Sequence, residues 1–423
     1  MKQINNNRTK VIATIGPSSS GYDTLKEMIK NGVDVVRLNF SHGDYKDHKE
    51  TILNVRKISD ELGLPVSVLQ DIQGPKIRVG KLNKDKIQLN EGHKFFITSD
   101  NVIGNIDEIS IDNNIISDIK ENERILIDDG KIELKVIKKE KNKVKVEVKR
   151  GGILLQRKGV NLPESDIKLS SLTEKDVNDL LFGLKNNVDW VALSFVRSED
   201  DIIDLRKLIK KNGYNTKIIA KIEKPQAIKN IDKIIIESDG LMVARGDLGV
   251  EMPMESVPII QKKIVFKCNL ACKPVIIATQ MLESMVSQKT PTRAESNDVA
   301  NAVLDGADAV MLSAESATGE YPLLAVESMN RIINSVEKTS DTIYYKFEKI
   351  KRLKNKLSES LLTTACRLSK QISAKAIITM TKSGYSAFRV SGNRPKARIY
   401  IVTNDKKIGN VLNLLWGIRS IYY

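Results

Sequence analysis

One recurring unit limits the folds open to this chain: a strand-length apolar run that ends in polar or glycine residues. Eight such runs occur, at residues 11–16, 33–39, 65–71, 189–195, 216–223, 240–247, 274–279 and 307–313. Helix-like stretches lie between them, for example at 23–29, 200–211 and 257–269. Strands that alternate with helices form parallel sheets. Eight such units predict an α/β fold with a closed (β/α)8 TIM barrel, whose chemistry sits at the C-terminal ends of its strands. Arg37, Asp71, Lys221, Glu223, Asp247 and Thr279 fall at those ends. Each alone could be a solvated strand end. Six of them from five strands read as a site.

One spacing departs from the rhythm. About 120 residues separate the third and fourth runs, against 25–35 elsewhere. The intervening segment alternates like short strands, with turn signals at Asp128-Asp129-Gly130 and Arg150-Gly151-Gly152 and no strong helical period. It predicts a small all-β domain over 79–165, inserted in a barrel loop and placed to act as a lid. The barrel then comprises 1–78 and 166–340. Residues 341–423 form a C-terminal α/β unit, with a helix over 359–370 and strands over 376–380 and 398–403.

The 423 residues carry 68 Lys and Arg against 53 Asp and Glu, a net charge of +15. That favours anionic partners: nucleic acid, membrane surface or phosphorylated metabolites. The densest basic run, 135–150, holds eight basic and two acidic residues. Its core alternates Lys143, Val144, Lys145, Val146, the mark of a strand with one solvated face. No aromatic platforms interleave for stacked bases, so no nucleic-acid partner is expected. No apolar run approaches the ~20 residues of a membrane helix. The N-terminus lacks an apolar signal core, which predicts a cytoplasmic location and no membrane partner. Cys268, Cys272 and Cys366 have no metal-ligand company and read as reduced thiols. His42, His48 and His93 likewise have no such company.

Alternation places Lys221 and Glu223 on one side of the fifth strand. Glu223 and Asp247 end adjacent strands and can share a divalent cation, with Lys221 beside it to stabilise a transferring phosphoryl group. A purely structural Lys–Glu network would use the same residues. The segment Ala244-Arg245-Gly246-Asp247, before Leu248-Gly249, offers backbone N–H groups to a carboxylate or phosphate. No Walker loop is present: Gly80-Lys81 is followed by Leu82. The protein-kinase motif set is also absent.

Longer segments carry a resemblance. They are Thr9-Lys10 with Thr14-Ile15-Gly16-Pro17, Arg37-Leu38-Asn39-Phe40-Ser41-His42-Gly43, and Lys158-Gly159-Val160-Asn161-Leu162-Pro163. Then follow Ser194-Phe195-Val196-Arg197, Lys221-Ile222-Glu223, the run from Asp239 to Glu251, Ala278 to Met285, Pro291 to Glu295, and Asn297 to Ser313. Over essentially its full length the chain resembles the pyruvate kinase family.

The resemblance implies phosphoryl transfer from phosphoenolpyruvate to ADP, giving pyruvate and ATP. In it, Glu223 and Asp247 hold Mg²⁺, and a second Mg²⁺ comes with the nucleotide. Lys221 and Arg37 neutralise the phosphoryl group. The backbone of Ala244, Arg245, Gly246 and Asp247 and the Thr279 hydroxyl hold the substrate carboxylate, and Thr279 lies on the proton route to the enolate. Arg78 and Lys158 contact nucleotide phosphates from the lid. A monovalent-cation position is formed by Asn39, Ser41, Asp71 and the Ile72 carbonyl. Potassium-activated members read Asp-Thr-Lys-Gly-Pro-Glu here. This chain reads Asp71-Ile72-Gln73-Gly74-Pro75-Lys76. Lys76 thus replaces a glutamate, and its ammonium is expected to stand in for K⁺, making K⁺ dispensable.

In the C-terminal unit, Thr381, Lys382, Ser383 and Ser386 match a loop that binds the phosphate of an allosteric effector. Against the family's usual length this unit is expected to lack about 50 residues, including a final strand. A homotetramer is implied, with Arg245 near subunit contacts. Two other classes compete. A lyase on such a barrel would share the carboxylates and Mg²⁺ but not need the lid, Arg78 or Lys158. A non-enzymatic RNA binder would not need Lys221, Glu223, Asp247 and Thr279 together.

Overall fold

The computed structural model describes residues 7–111, 115–165, 167, 170–345 and 357–423. Eight parallel strands close into a barrel in chain order: Lys10–Thr14, Val35–Asn39, Ser67–Ile72, Trp190–Leu193, Lys217–Ile222, Gly240–Ala244, Val275–Ala278 and Ala309–Leu312. The eighth pairs back onto the first. The strands read as continuous apolar runs because both faces are buried. Ile12, Val35, Leu69, Ile219, Met242 and Ile276 fill the lumen. Their neighbours Val11, Val36, Val68, Ile218, Val243 and Ile277 pack on the surrounding helices. The expected helices appear as Tyr22–Lys30, Glu199–Lys211 and Val257–Ala271. Ile222 pairs with Val243, so Glu223 leaves the fifth strand beside Ala244 at the end of the sixth.

Between the third and fourth strands the chain builds a separate β unit. Its seven-stranded sheet is ordered Ile77–Arg78, Gly159–Asn161, Arg124–Ile127, Ile132–Lys139, Lys143–Arg150, Lys94–Thr98 and Glu108–Ser110. A second pair, Lys86–Leu89 with Gly152–Leu155, lies beside it. Val144, Val146 and Val148 turn into this unit's own core, as their period-two spacing demands. Ile77–Arg78 belongs to this sheet, so the lid begins within a few residues of the third barrel strand.

The C-terminal unit carries three parallel strands, Ala376–Met380, Arg398–Thr403 and Ile418–Tyr422. The third is a strand that the sequence reading did not assign. Arg419 and Ser420 interrupt its apolar character, so no clean period marks it. This unit docks on the barrel end opposite the C-terminal mouth. Leu414 joins the lumen cluster, and Trp190 Nε1 donates to the Val411 carbonyl at 3.0 Å. Buried Lys10 reaches Asp34 at 3.1 Å and the Ile418 carbonyl at 3.1 Å. Among the described residues no helix is long and apolar enough to cross a membrane.

Candidate active site

At the C-terminal mouth Lys221 is the hub. Its Nζ lies 3.1 Å from Asp71 Oδ1 and 3.1 Å from Glu223 Oε1, and donates to Ser194 Oγ at 2.7 Å. Arg37 grips the same Asp71 through Nε at 2.8 Å and Nη2 at 2.7 Å, and donates from Nη1 to Thr14 Oγ1 at 2.9 Å. All four charged groups are buried.

Their mutual placement decides their charge. Burial disfavours the Lys221 ammonium, but Asp71 and Glu223 outweigh it and raise the lysine above its ordinary range. Burial also opposes the Asp71 charge, yet Lys221 and Arg37 together hold that carboxyl below its ordinary value. At Glu223 burial wins: desolvation, aided by the Asp247 charge, pushes the carboxyl up despite Lys221. Glu223 Oε2 also accepts the Phe195 N–H at 2.7 Å.

The sixth strand passes directly into the short helix Arg245–Glu251. The Gly246 N–H donates to Thr279 Oγ1 at 2.8 Å, and that hydroxyl donates to the Ala278 carbonyl at 2.6 Å. Thr279 has φ of 71°, a conformation that strains a β-branched residue and is held here by its surroundings. The Arg245 guanidinium is engaged by Asp298 at 2.6 Å and the Thr279 carbonyl at 2.7 Å. Of this segment, then, Asp247 and the backbone N–H groups other than that of Gly246 remain for a ligand. Lys76 Nζ stands 3.6 Å from Asp247 Oδ1. Both border an 860 Å³ cavity to which the lid contributes Asp129.

The remaining sequence-derived residues fall into three places. Among the residues expected to form a monovalent-cation position, Asn39 Oδ1 accepts the Ser41 N–H at 3.2 Å, the Ile72 carbonyl accepts from Ser194 Oγ at 2.7 Å, and Asp71 serves Arg37 and Lys221. Arg78 and Lys158 stand on the lid sheet, where Arg78 pairs in register with Gly159. Lys158 meets Asp128 at 2.8 Å, and Arg78 Nη1 donates to the Arg157 carbonyl at 3.0 Å. In the C-terminal unit, Thr381, Lys382 and Ser383 lie in the loop from Ala376–Met380 to the helix Tyr385–Gly392, and Ser386 lies in that helix's first turn. There the Gly384 N–H donates to Thr381 Oγ1 at 2.9 Å.

Three participants were missed. Ser194 links Lys221 to the Ile72 carbonyl. Thr14 steadies Arg37. Buried Glu251 receives Lys224 at 2.5 Å and the lid residue Asn161 at 2.8 Å, tying the lid to the Arg245–Glu251 helix. Ser194 and Thr14 end barrel strands, the signal that could have found them. Glu251 carries no local signal, because its partners are distant in sequence.

A lidded (β/α)8 barrel with a charged cluster at its strand ends and a docked α/β unit defines the class, a TIM-barrel enzyme. The family described as pyruvate kinase, barrel domain, matches residues 6–326, and its companion pyruvate kinase alpha/beta domain matches 359–423. A pyruvate kinase of Agrobacterium vitis is 44% identical over 423 residues, covering 99% of this chain and 86% of its own. One of Bacillus licheniformis is 40% identical over 415 residues, covering 97% and 71%. The crystal structure of a pyruvate kinase from Cryptosporidium parvum superposes with a TM-score of 0.96 at 37% identity, covering 99% of this chain and 88% of its own. The chain belongs to the pyruvate kinase family and is a phosphotransferase.

Proposed function

We propose that this enzyme transfers the phosphoryl group of phosphoenolpyruvate to ADP and protonates the resulting enolate to pyruvate, in a barrel covered by a lid that starts at Ile77 and with the C-terminal unit in a regulatory role. The observation that carries it is the Lys221–Asp71–Glu223–Arg37 cluster: two buried cations at one mouth, each paired with carboxylate.

The donor set fits a hard divalent cation. Glu223 follows the fifth strand and Asp247 lies in the first turn of the helix after the sixth, not at the strand end that the sequence predicts; the Asp247 charge already raises the Glu223 carboxyl, a repulsion that a cation relieves. Among the described residues no three Asp, Glu, His or Cys side chains are placed to hold a metal ion together. The protein thus offers two carboxylates and leaves other positions to substrate and water oxygens, as Mg²⁺ commonly has them. When bound, Mg²⁺ supplies charge neutralisation at the phosphoryl oxygens.

Lys221 and Arg37 act as fixed cations that need no reorganisation as the phosphoryl group passes to the attacking ADP oxygen and negative charge builds on the enol oxygen. The Arg245–Glu251 helix start and the Thr279 hydroxyl orient the substrate carboxylate. Breaking the ester P–O bond leaves its electron pair on the enolate, and a proton then reaches carbon along a route that includes Thr279. Arg78 and Lys158 bring the ADP phosphates from the lid. The Lys76 ammonium beside Asp247 supports turnover without K⁺. The enzyme works as a homotetramer in the cytoplasm, and the Thr381–Ser386 loop takes an effector phosphate.

The test is pyruvate formation from phosphoenolpyruvate, ADP and Mg²⁺, with and without K⁺. Pyruvate in both buffers supports the whole reading. Pyruvate only with K⁺ keeps the kinase and removes the role of Lys76. No pyruvate from folded protein overturns the kinase in favour of a lyase.

A further inference from the structure

Glu251 Oε1 receives two donors from different parts of the molecule. Lys224 Nζ reaches it at 2.5 Å from the residue after Glu223, and Asn161 Nδ2 reaches it at 2.8 Å from the lid. We propose that Glu251 is a positioning residue for the nucleotide: through Asn161 it sets where the lid's phosphate contacts stand relative to the barrel mouth. This rests on the assignment of Arg78 and Lys158 to the ADP phosphates.

Each member of the trio is held in place. Glu251 closes the helix Arg245–Glu251, which carries Asp247, and its side chain is fully buried. Asn161 is the last residue of the lid strand Gly159–Asn161 and is buried too. A carboxylate shut away from water must keep its donors. The other Glu251 oxygen, Oε2, is buried and accepts no hydrogen bond among the described residues. The two donors on Oε1 therefore carry the tie.

The strand that ends in Asn161 also carries the phosphate contacts. Arg78 pairs in register with Gly159, and Lys158 precedes it. Strand pairing makes these one piece, so a shift at Asn161 displaces Arg78 and Lys158 together. Packing alone does not fix the lid here: a 40 Å³ gap separates Ile77, Val160 and Asn161 from Phe195 and Lys224 of the barrel. The chain entering and leaving the lid is held separately. Lys76 faces Asp247 on the way in, and on the way out the Ile167 and Ser165 carbonyls accept from Arg197 at 2.6 Å and Gln226 at 3.4 Å. Those contacts act on the connectors, whereas Asn161 acts from the sheet itself. Lys221, Arg37 and Thr279, assigned to phosphoenolpyruvate, have partners of their own that do not include Asn161. The tie should thus govern one substrate and not the other.

The experiment pairs calorimetric titration of the full chain with Mg²⁺ and ADP and steady-state rates of pyruvate formation. Asn161→Ala should weaken ADP binding and raise its KM about tenfold, the weight of one hydrogen bond to a charged group. The KM for phosphoenolpyruvate should stay unchanged. Asn161→Asp sets a second carboxylate against Glu251 and should weaken ADP binding further. Asn161→Asp with Glu251→Gln reverses the bond, keeps one carboxylate for Lys224, and should restore most of the affinity. A merely structural tie would lower the active fraction, and so kcat, with both KM values unmoved. That outcome overturns the proposal, as does a rise in both KM values together, or a double variant that recovers nothing. The kinase reading fails separately: a parent that binds ADP with this dependence on Asn161 but makes no pyruvate removes that reading and keeps this one.

Discussion

Lys76 faces Asp247 across the entrance to the lid, Nζ to Oδ1 3.6 Å apart. The residue that reverses charge relative to the potassium-activated pattern therefore meets the carboxylate assigned to the metal. Lys76→Glu would remove a cation there and set a second carboxylate against Asp247. In potassium-free buffer pyruvate formation should fall on the order of 100-fold, the scale of losing one stabilising charge, and added K⁺ should restore much of it. A variant as active as the parent without K⁺ would leave Lys76 no electrostatic role.

Lys221→Met removes the hub. With Asp71 and Glu223 left buried, kcat should drop about 1,000-fold or more, as when another phosphotransferase loses its charge-stabilising cation. The urea midpoint should fall too, because uncompensated buried charge costs about 3–5 kcal/mol. Steady-state rates at saturating substrate, beside a urea melt, separate the two effects. Full activity in a destabilised variant would make the cluster a structural network only.

The barrel was legible because its rule is local. Each strand is apolar on both faces and ends near the residues that matter, so Arg37, Asp71, Lys221, Glu223 and Thr279 could be placed by counting along strands, whereas Asp247, counted to a strand end, sits in the helix that follows. What joins them was not legible. Arg37 and Lys221 meet on Asp71 because the second, third and fifth strands converge at the mouth, a consequence of closure that no window of sequence contains. The Asn161–Glu251–Lys224 tie and the docking of Leu414 into the lumen likewise pair residues far apart in the chain. Ile418–Tyr422 escaped because a five-residue strand at a sheet edge needs only one buried position, Ile418, to be held.

Asp71 gives a pH prediction. Its carboxyl lies below the ordinary value in the folded protein because Lys221 and Arg37 outweigh burial. A depressed carboxylate contributes stability above the unfolded-state pKa and loses it as pH falls through the folded one. The stability gap between the parent and Asp71→Asn should therefore be constant near neutrality and shrink progressively below about pH 4. Urea melts of both proteins from pH 7 downward measure it. A gap that widens on acidification would reverse the assignment.

Thr279→Ala would leave the Gly246 N–H without its acceptor and take the hydroxyl from the proton route. Pyruvate formation should fall about 100-fold, within the range of one general acid–base contribution. Thr279→Ser should recover most of it. Following ATP and pyruvate separately tells which step suffers: ATP outrunning pyruvate places the loss at enolate protonation, while equal loss assigns Thr279 to substrate positioning.

The C-terminal unit predicts its own assembly. Leu357, Leu361 and Leu368 lie on one stripe of the helix Leu357–Gln371, with Ile372 just beyond it, and all are more than half exposed. Ile378 and Met380 of the neighbouring strand are exposed as well. A monomer rarely presents so many large apolar side chains of one helix and its neighbouring strand to water. A partner subunit that covers this face would account for it, consistent with the proposed homotetramer. Leu361→Glu with Leu368→Glu should shift the sedimentation coefficient to a smaller species. Each subunit's melting profile should hardly change, because exposed positions contribute little to its own fold. Sedimentation velocity at several concentrations decides it. A parent that sediments as a monomer throughout would remove the assembly, and a variant that stays tetrameric would move the interface elsewhere.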